Sequence, residues 1–177
     1  MRRRRVPVAF LGAALLLGAA GIPSSKPELR PCSAPSLEVH KRDSVLVVSC
    51  DGHEKARMWT TFGGHPEGAK EREGDDKTPE GSYRIVEVRK TSRFQVFMLL
   101  DYPNATDRAR SRTGSAIGVH GQASSMSFLG RVWIRLAHVT GASRMWGPTD
   151  GCIAVTNEDV AALAEIVQPG TPIVVLP

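Results

Sequence analysis

Thr149-Asp150-Gly151-Cys152-Ile153-Ala154-Val155-Thr156-Asn157 is the stretch from which the rest of the chain can be read. A glycine directly before a cysteine lets the backbone turn sharply and approach a ligand closely, and the chain then runs into a short apolar segment and a helix start. Cysteine is a strong nucleophile only as the thiolate. A working site therefore also needs a base, and donors for the negative charge that develops on an attacked carbonyl. The base is expected upstream, at His120 in Ile117-Gly118-Val119-His120-Gly121. The glycine frees consecutive backbone N–H groups to converge on one spot, as an oxyanion site requires.

A histidine-glycine pair closing a short apolar strand, followed downstream by TDGCIAVTN, resembles the L,D-transpeptidase catalytic domain, the YkuD family. The resemblance extends to EGDDKTPEGSYRI (Glu73 to Ile85), DYPNATD (Asp101 to Asp107) and the closing GTPIVVLP (Gly170 to Pro177), and so covers roughly residues 37–177. It implies a β-dominated mixed fold, a β-sandwich with one main C-terminal helix. It also implies Cys152 as nucleophile, His120 as base and Gly121 as the residue whose carbonyl orients the imidazole. Backbone N–H groups of Asp150, Gly151 and Cys152 are implied to hold the oxyanion. The implied activity is L,D-transpeptidation of peptidoglycan stem peptides. Another stem, a lipoprotein lysine or water is left open as the acceptor, as is a non-catalytic wall-binding domain.

Two departures stand out. Many family members have a histidine where this chain has Asp150 and an arginine where it has Ala154, so a substrate-carboxylate contact must come from elsewhere, with Arg131, Arg135 and Arg144 as candidates and Trp146 as a further substrate-binding residue that excludes water. The gap of 31 residues between His120 and Cys152 is also longer than usual. Its segment Gln122–Pro148 is too apolar for a solvated insert and is expected either to wall the site as a lid or to pack as an extra hairpin.

His138 is the rival base. No metal or organic cofactor is expected, because a Cys152/His120/His138 zinc site lacks paired-ligand spacing. His40, His53 and His65 read as surface or turn residues.

At the other end, Arg2 to Arg5 precede a mostly apolar run from Val6 to Ile22, which reads as a signal peptide over residues 1–22. A retained anchor is the alternative; the cleaved form would carry no membrane span and would reach the periplasm or cell envelope. The signal changes the charge argument. Setting aside its four arginines leaves 19 basic against 18 acidic side chains, a net of +1 where the whole chain carries +5. So neutral a mature chain, with 6% aromatic residues, argues against a nucleic-acid partner.

Residues 23–36, with four prolines and four serines, read as a flexible tether. Strands are expected at Leu37–His40, Ser44–Ser49, Lys55–Phe62, Ser82–Val88, Phe94–Leu100, Ala116–Val119 and Thr171–Leu176, with a tight turn at Asp51-Gly52. Gly63 to Pro79 reads as a long charged loop, and Asn104–Arg112 as one or two helical turns. The helix after the cysteine is capped by Thr156, with Asp159 three residues on and an apolar stripe of Val160, Leu163, Ala164 and Val167. Cys32 and Cys50 flank the first strand of an exported chain and are expected to pair, leaving Cys152 free; the alternative is a mobile Cys32 and a buried, unpaired Cys50.

Overall fold

The computed structural model describes residues 29–123, 129 and 149–177. Eight strands form one curled sheet in the order β3-β2-β1-β8-β4-β5-β6-β7. They are β1 Pro35–His40, β2 Val45–Cys50, β3 His53–Trp59, β4 Gly81–Thr91, β5 Gln95–Leu100, β6 Gly118–His120, β7 Ile153–Ala154 and β8 Pro172–Leu176; the helices are α1 Ala105–Ala109 and α2 Asn157–Leu163. This is the β-dominated fold that the sequence implies.

The topology follows from local turns. Asp51 and Gly52 both take positive φ, 54° and 79°, the backbone of a tight hairpin turn between β2 and β3. Strand β4 serves both halves of the sheet: Gly81–Arg84 pair with β8, and Ile85 onward with β5, across a register irregularity between Ile85 and Glu87. Bulges bend strands, and this one lets a single sheet curl over its own core. Just past β3, Thr61 pairs with Ala154 of β7, with both main-chain bonds at 2.9 Å, so the two edges of the sheet meet.

Alternation places Leu37, Val39, Leu46, Val48, Ile173 and Val175 inside from one half, and Ile85, Met98, Val119 and Ile153 from the other. Val160, Ala162 and Leu163 of α2 complete the core against β5. Each large aliphatic side chain so buried contributes roughly 1.5–3 kcal/mol. Thr156 caps α2 as the sequence suggests, its hydroxyl accepting from the Asp159 N–H at 3.0 Å. Asn104 caps α1 in a full capping box with Asp107.

Three expectations need correction. The expected tether is anchored from Leu29 onward: Leu29 is 2% exposed, Cys32 is bonded to Cys50, and the Asp51 carboxylate accepts from the Ala34 N–H at 3.0 Å. One leucine and one cysteine suffice to tie down a segment whose composition carries no periodic signal. Strand β3 stops at Trp59: the Thr60 N–H still reaches the Ser44 carbonyl, but Thr61 and Phe62 turn away to pair with Ala154 and Thr149. The two-residue β7 was not anticipated, being shorter than any pattern that alternation can reveal.

The long loop between Gly63 and Pro79 is built around two buried cations. Lys41 Nζ donates to Glu80 at 2.7 Å and to the Gly68 carbonyl at 2.7 Å. Lys70, 2% exposed, donates to Asp75 at 2.7 Å. Burial works to raise the Asp75 carboxyl. The Lys70 ammonium and N–H groups of Arg72, Glu71 and Lys77 outweigh it and hold this acid far below the usual carboxylate range.

Two predictions follow from this packing. Unfolded without reductant, the chain should show one free thiol, and Cys32→Ser with Cys50→Ser should cost about 3 kcal/mol in denaturant titration; three free thiols would refute the bridge. Asp75→Asn leaves Lys70 buried without its counter-charge and should cost about 3–5 kcal/mol, whereas unchanged stability would show the pair to be solvated.

Candidate functional site

The paired edges put one row of side chains across five chain segments. Arg89 of β4 pairs with Phe97 of β5, Phe97 with His120 of β6, His120 with Ala154 of β7, and Ala154 with Thr61. All five line one cleft, which also includes Cys152. Ile153 and its neighbour Val119 point into the core at 0% exposure, so Cys152 and Ala154 on either side of Ile153 face the cleft, as does His120. The period-two geometry of two adjacent strands thus brings the expected nucleophile and the expected base onto one face.

The histidine is held from three sides. Its Nδ1 lies 2.7 Å from the Gly121 carbonyl oxygen, which can only accept, so Nδ1 carries the proton and Nε2 is left as an acceptor. The Phe97 ring stacks on the imidazole at 5.8 Å and 11°, and the Phe94 ring lies at 4.1 Å. Gly118 makes the Phe97 contact possible: a Cβ there would stand 2.7 Å from the Phe97 ring and 2.6 Å from the Met98 carbonyl. Burial pushes the imidazole below its usual value and nearby Arg93 adds to this, while the Gly121 carbonyl opposes it. His120 is therefore neutral at pH 7.

The cysteine sits on a turn that only glycine can make. Gly151 has φ +120°, and a Cβ there would lie 2.5 Å from the Lys77 carbonyl oxygen. Lys77 belongs to the Gly63–Pro79 loop, so that loop packs directly behind the cysteine turn. Thr78, fully buried, accepts from the Gly63 N–H at 3.1 Å. Thr149 braces the turn from within, its hydroxyl donating to the Cys152 carbonyl at 2.6 Å and accepting from the Gly151 N–H at 3.2 Å. That last bond engages the Gly151 N–H, one of the three donors expected to hold an oxyanion.

The thiol is 3.5 Å from the Ala116 carbonyl. Burial raises it above the ordinary thiol range and the Asp150 carboxylate adds to the rise, against the Gly118 N–H, Lys70 and Arg93. Both shifts favour a neutral thiol beside a neutral imidazole.

Arg131, Arg135, Arg144, Trp146 and the rival base His138 lie outside the described residues, as does most of the Gln122–Pro148 segment. Sequence reasoning missed Phe94, Phe97, Thr149, Arg93 and Asn157. Asn157, the first residue of α2, accepts from the Gln122 N–H at 2.9 Å and so ties the chain just after His120 to the helix after Cys152. Thr149 and Asn157 bracket the opening motif, which was the available signal; the phenylalanines carried none beyond strand propensity.

Residues 34–175 match the family model described as YkuD, the L,D-transpeptidase catalytic domain. YafK of Escherichia coli (strain K12), whose name assigns it provisionally to the L,D-transpeptidases, is 28% identical over 102 residues, 56% of this chain and 32% of YafK. Among solved structures, the helical cell shape determining protein Pgp2 from Campylobacter jejuni aligns with TM-score 0.63 at 24% identity, over 82% of this chain and 48% of that one. An L,D-transpeptidase from Mycobacterium smegmatis aligns with TM-score 0.53 at 14% identity, over 81% and 58%. The chain thus spans about a third of the curated relative and about half of these solved chains.

The electrostatics set a pH profile. With the thiol raised and the imidazole lowered, alkylation of Cys152 by iodoacetamide should be slow at pH 7 and rise through a midpoint above that of a free cysteine. A midpoint below pH 7 would instead show a resting thiolate–imidazolium pair.

Proposed function

The chain belongs to the L,D-transpeptidase catalytic-domain (YkuD) family, and we propose that it is an active cysteine acyltransferase acting on the tetrapeptide stems of peptidoglycan. The observation that carries this reading is the shared face of β6 and β7, where Cys152 and a histidine with its Nδ1 proton already committed stand in one cleft. In the proposed cycle His120 Nε2 takes the thiol proton as Sγ attacks the amide carbonyl of the third, diamino-acid residue. Charge on the carbonyl oxygen is met by the N–H groups of Asp150 and Cys152. The proton passes to the departing amine, D-alanine leaves, and an enzyme thioester remains.

An acceptor amine then attacks the thioester. Its proton goes to His120, and collapse restores the thiol and a new amide. One difficult amide exchange becomes two easier acyl transfers, and neither needs a group beyond the chain's own residues. The acceptor decides the outcome: a second stem yields a cross-link, a lipoprotein lysine an anchored protein, and water a trimmed stem. The proposed setting is the cell envelope, reached by the signal peptide read at residues 1–22. No helix among the described residues is long and apolar enough to cross a membrane. We assign the catalytic domain to the span from Leu29 to Pro177, a start earlier than the sequence suggested.

The test is mass spectrometry of purified tetrapeptide muropeptides incubated with the chain. Loss of terminal alanine, with or without a new cross-link, is expected, together with a covalent adduct on exposure to a carbapenem. Cys152→Ala should abolish both while the fold is kept, and His120→Ala should reduce turnover by about 10²–10⁴-fold. Turnover that survives in Cys152→Ala would remove the nucleophile and the acyl-enzyme with it.

A further inference from the structure

The turn between β4 and β5 carries a feature that the catalytic cycle above does not use. Phe94 is held there by its N–H bond to the Thr91 hydroxyl at 2.9 Å, and its carbonyl packs where a side chain on Gly121 would stand, 2.8 Å from that Cβ position. The hairpin tip is therefore seated on the histidine-glycine pair itself. Arg93 lies at this tip with its guanidinium 4.8 Å from the Phe94 ring, which also lies 4.1 Å from the His120 imidazole and 6.1 Å from the Phe97 ring. The stack runs from guanidinium to phenyl to imidazole. It presents the cation at the cleft that also holds Cys152.

The other cations of that cleft are spoken for. Lys70 is bonded to Asp75, and Arg89 lies 3.5 Å from Glu87 and 5.3 Å from the Phe97 ring. Arg93, exposed, forms no ion pair among the described residues. The acidic side chains lining the cleft, Glu73, Asp76 and Asp150, come from the loop and from the cysteine turn. The cleft is thus polarised, with its uncommitted positive charge on the hairpin. A planar guanidinium backed by a ring keeps its donor edge for a carboxylate, and the stacking limits the entropy lost on binding.

We propose that Arg93 is the carboxylate-binding residue of this cleft, a specificity determinant that orients an anionic peptide over Cys152. The peptide's identity rests on the function proposed above, the anion preference does not. Arg93 touches neither the thiol nor the scissile amide in this role. Its contribution is to ground-state and transition-state binding alike, so it should appear in KM.

Two measurements on the full chain test this. The first compares alkylation of Cys152 by iodoacetate and by iodoacetamide, reagents that differ in a carboxylate, with the rate ratio referred to free cysteine. The ratio cancels any change in thiol ionisation. Arg93→Ala should lower it about three- to tenfold and Arg93→Glu further, while Arg93→Lys retains most of it. The second is steady-state turnover of tetrapeptide stems, in which Arg93→Ala should raise KM about tenfold with kcat held within about twofold.

An unchanged reagent ratio overturns the proposal, and so does a fall in kcat at constant KM, which would make Arg93 a prop for the ring stack. A lowered ratio in a chain that turns over no stem peptide upholds the anion site and removes the peptidoglycan reading instead. Because Arg93 is exposed at a hairpin tip, the variants should melt with the parent chain.

Discussion

Main-chain pairing of a two-residue strand is the constraint on which the rest depends. Ile153 and Ala154 run parallel to β6 on one side and meet Thr61 on the other, and the Val155 N–H goes to the His120 carbonyl at 2.9 Å. Just upstream, the Thr149 N–H reaches Phe62 and its carbonyl accepts from Gly64. Backbone bonds thus clamp the residues on either side of Cys152 to two different segments. A cysteine on a free loop would sample many positions. Cys152 has its place dictated by sheet registry, which positions a side chain to within fractions of an ångström.

That closure also explains the polar interior of the Gly63–Pro79 loop. A turn as tight as Asp150–Cys152 needs something rigid behind it, and a loop without a hydrophobic core of its own must gain rigidity from buried, fully bonded polar groups. Lys41 and Lys70 supply them, one gathering Gly68, Thr78 and Glu80, the other Asp75, which in turn accepts three backbone N–H groups. Tyr102 joins the same network through the carbonyls of Lys70 and Thr113. The DYPNATD segment serves α1 in a similar way, with Asp107 bonded to Tyr83 and Arg112.

Electrostatically, the imidazole is buried against two phenyl rings and the thiol is raised by its own burial, and both directions favour neutral partners. The arginine on the β4–β5 turn disfavours imidazolium and favours thiolate, two effects that oppose each other in a proton transfer from Cys152 to His120.

Much of this was legible in the residues alone. Cysteine after glycine, a histidine closing an apolar strand, threonine capping an amphipathic helix and alternation in the longer strands are local patterns. Each has a local physical cause, and each was found where expected. What the sequence by itself determined is the β-dominated fold, the nucleophile and base candidates and the Cys32–Cys50 pair. Tertiary structure alone decided the rest. The row from Arg89 through Phe97 and His120 to Ala154 and Thr61 draws on five segments whose spacing along the chain has no period. The Gly151 N–H is taken up by a hydroxyl two residues away, and Leu29 anchors a stretch that composition marks as a tether. Contacts of this kind depend on registry between strands, and registry is set by how the whole sheet closes.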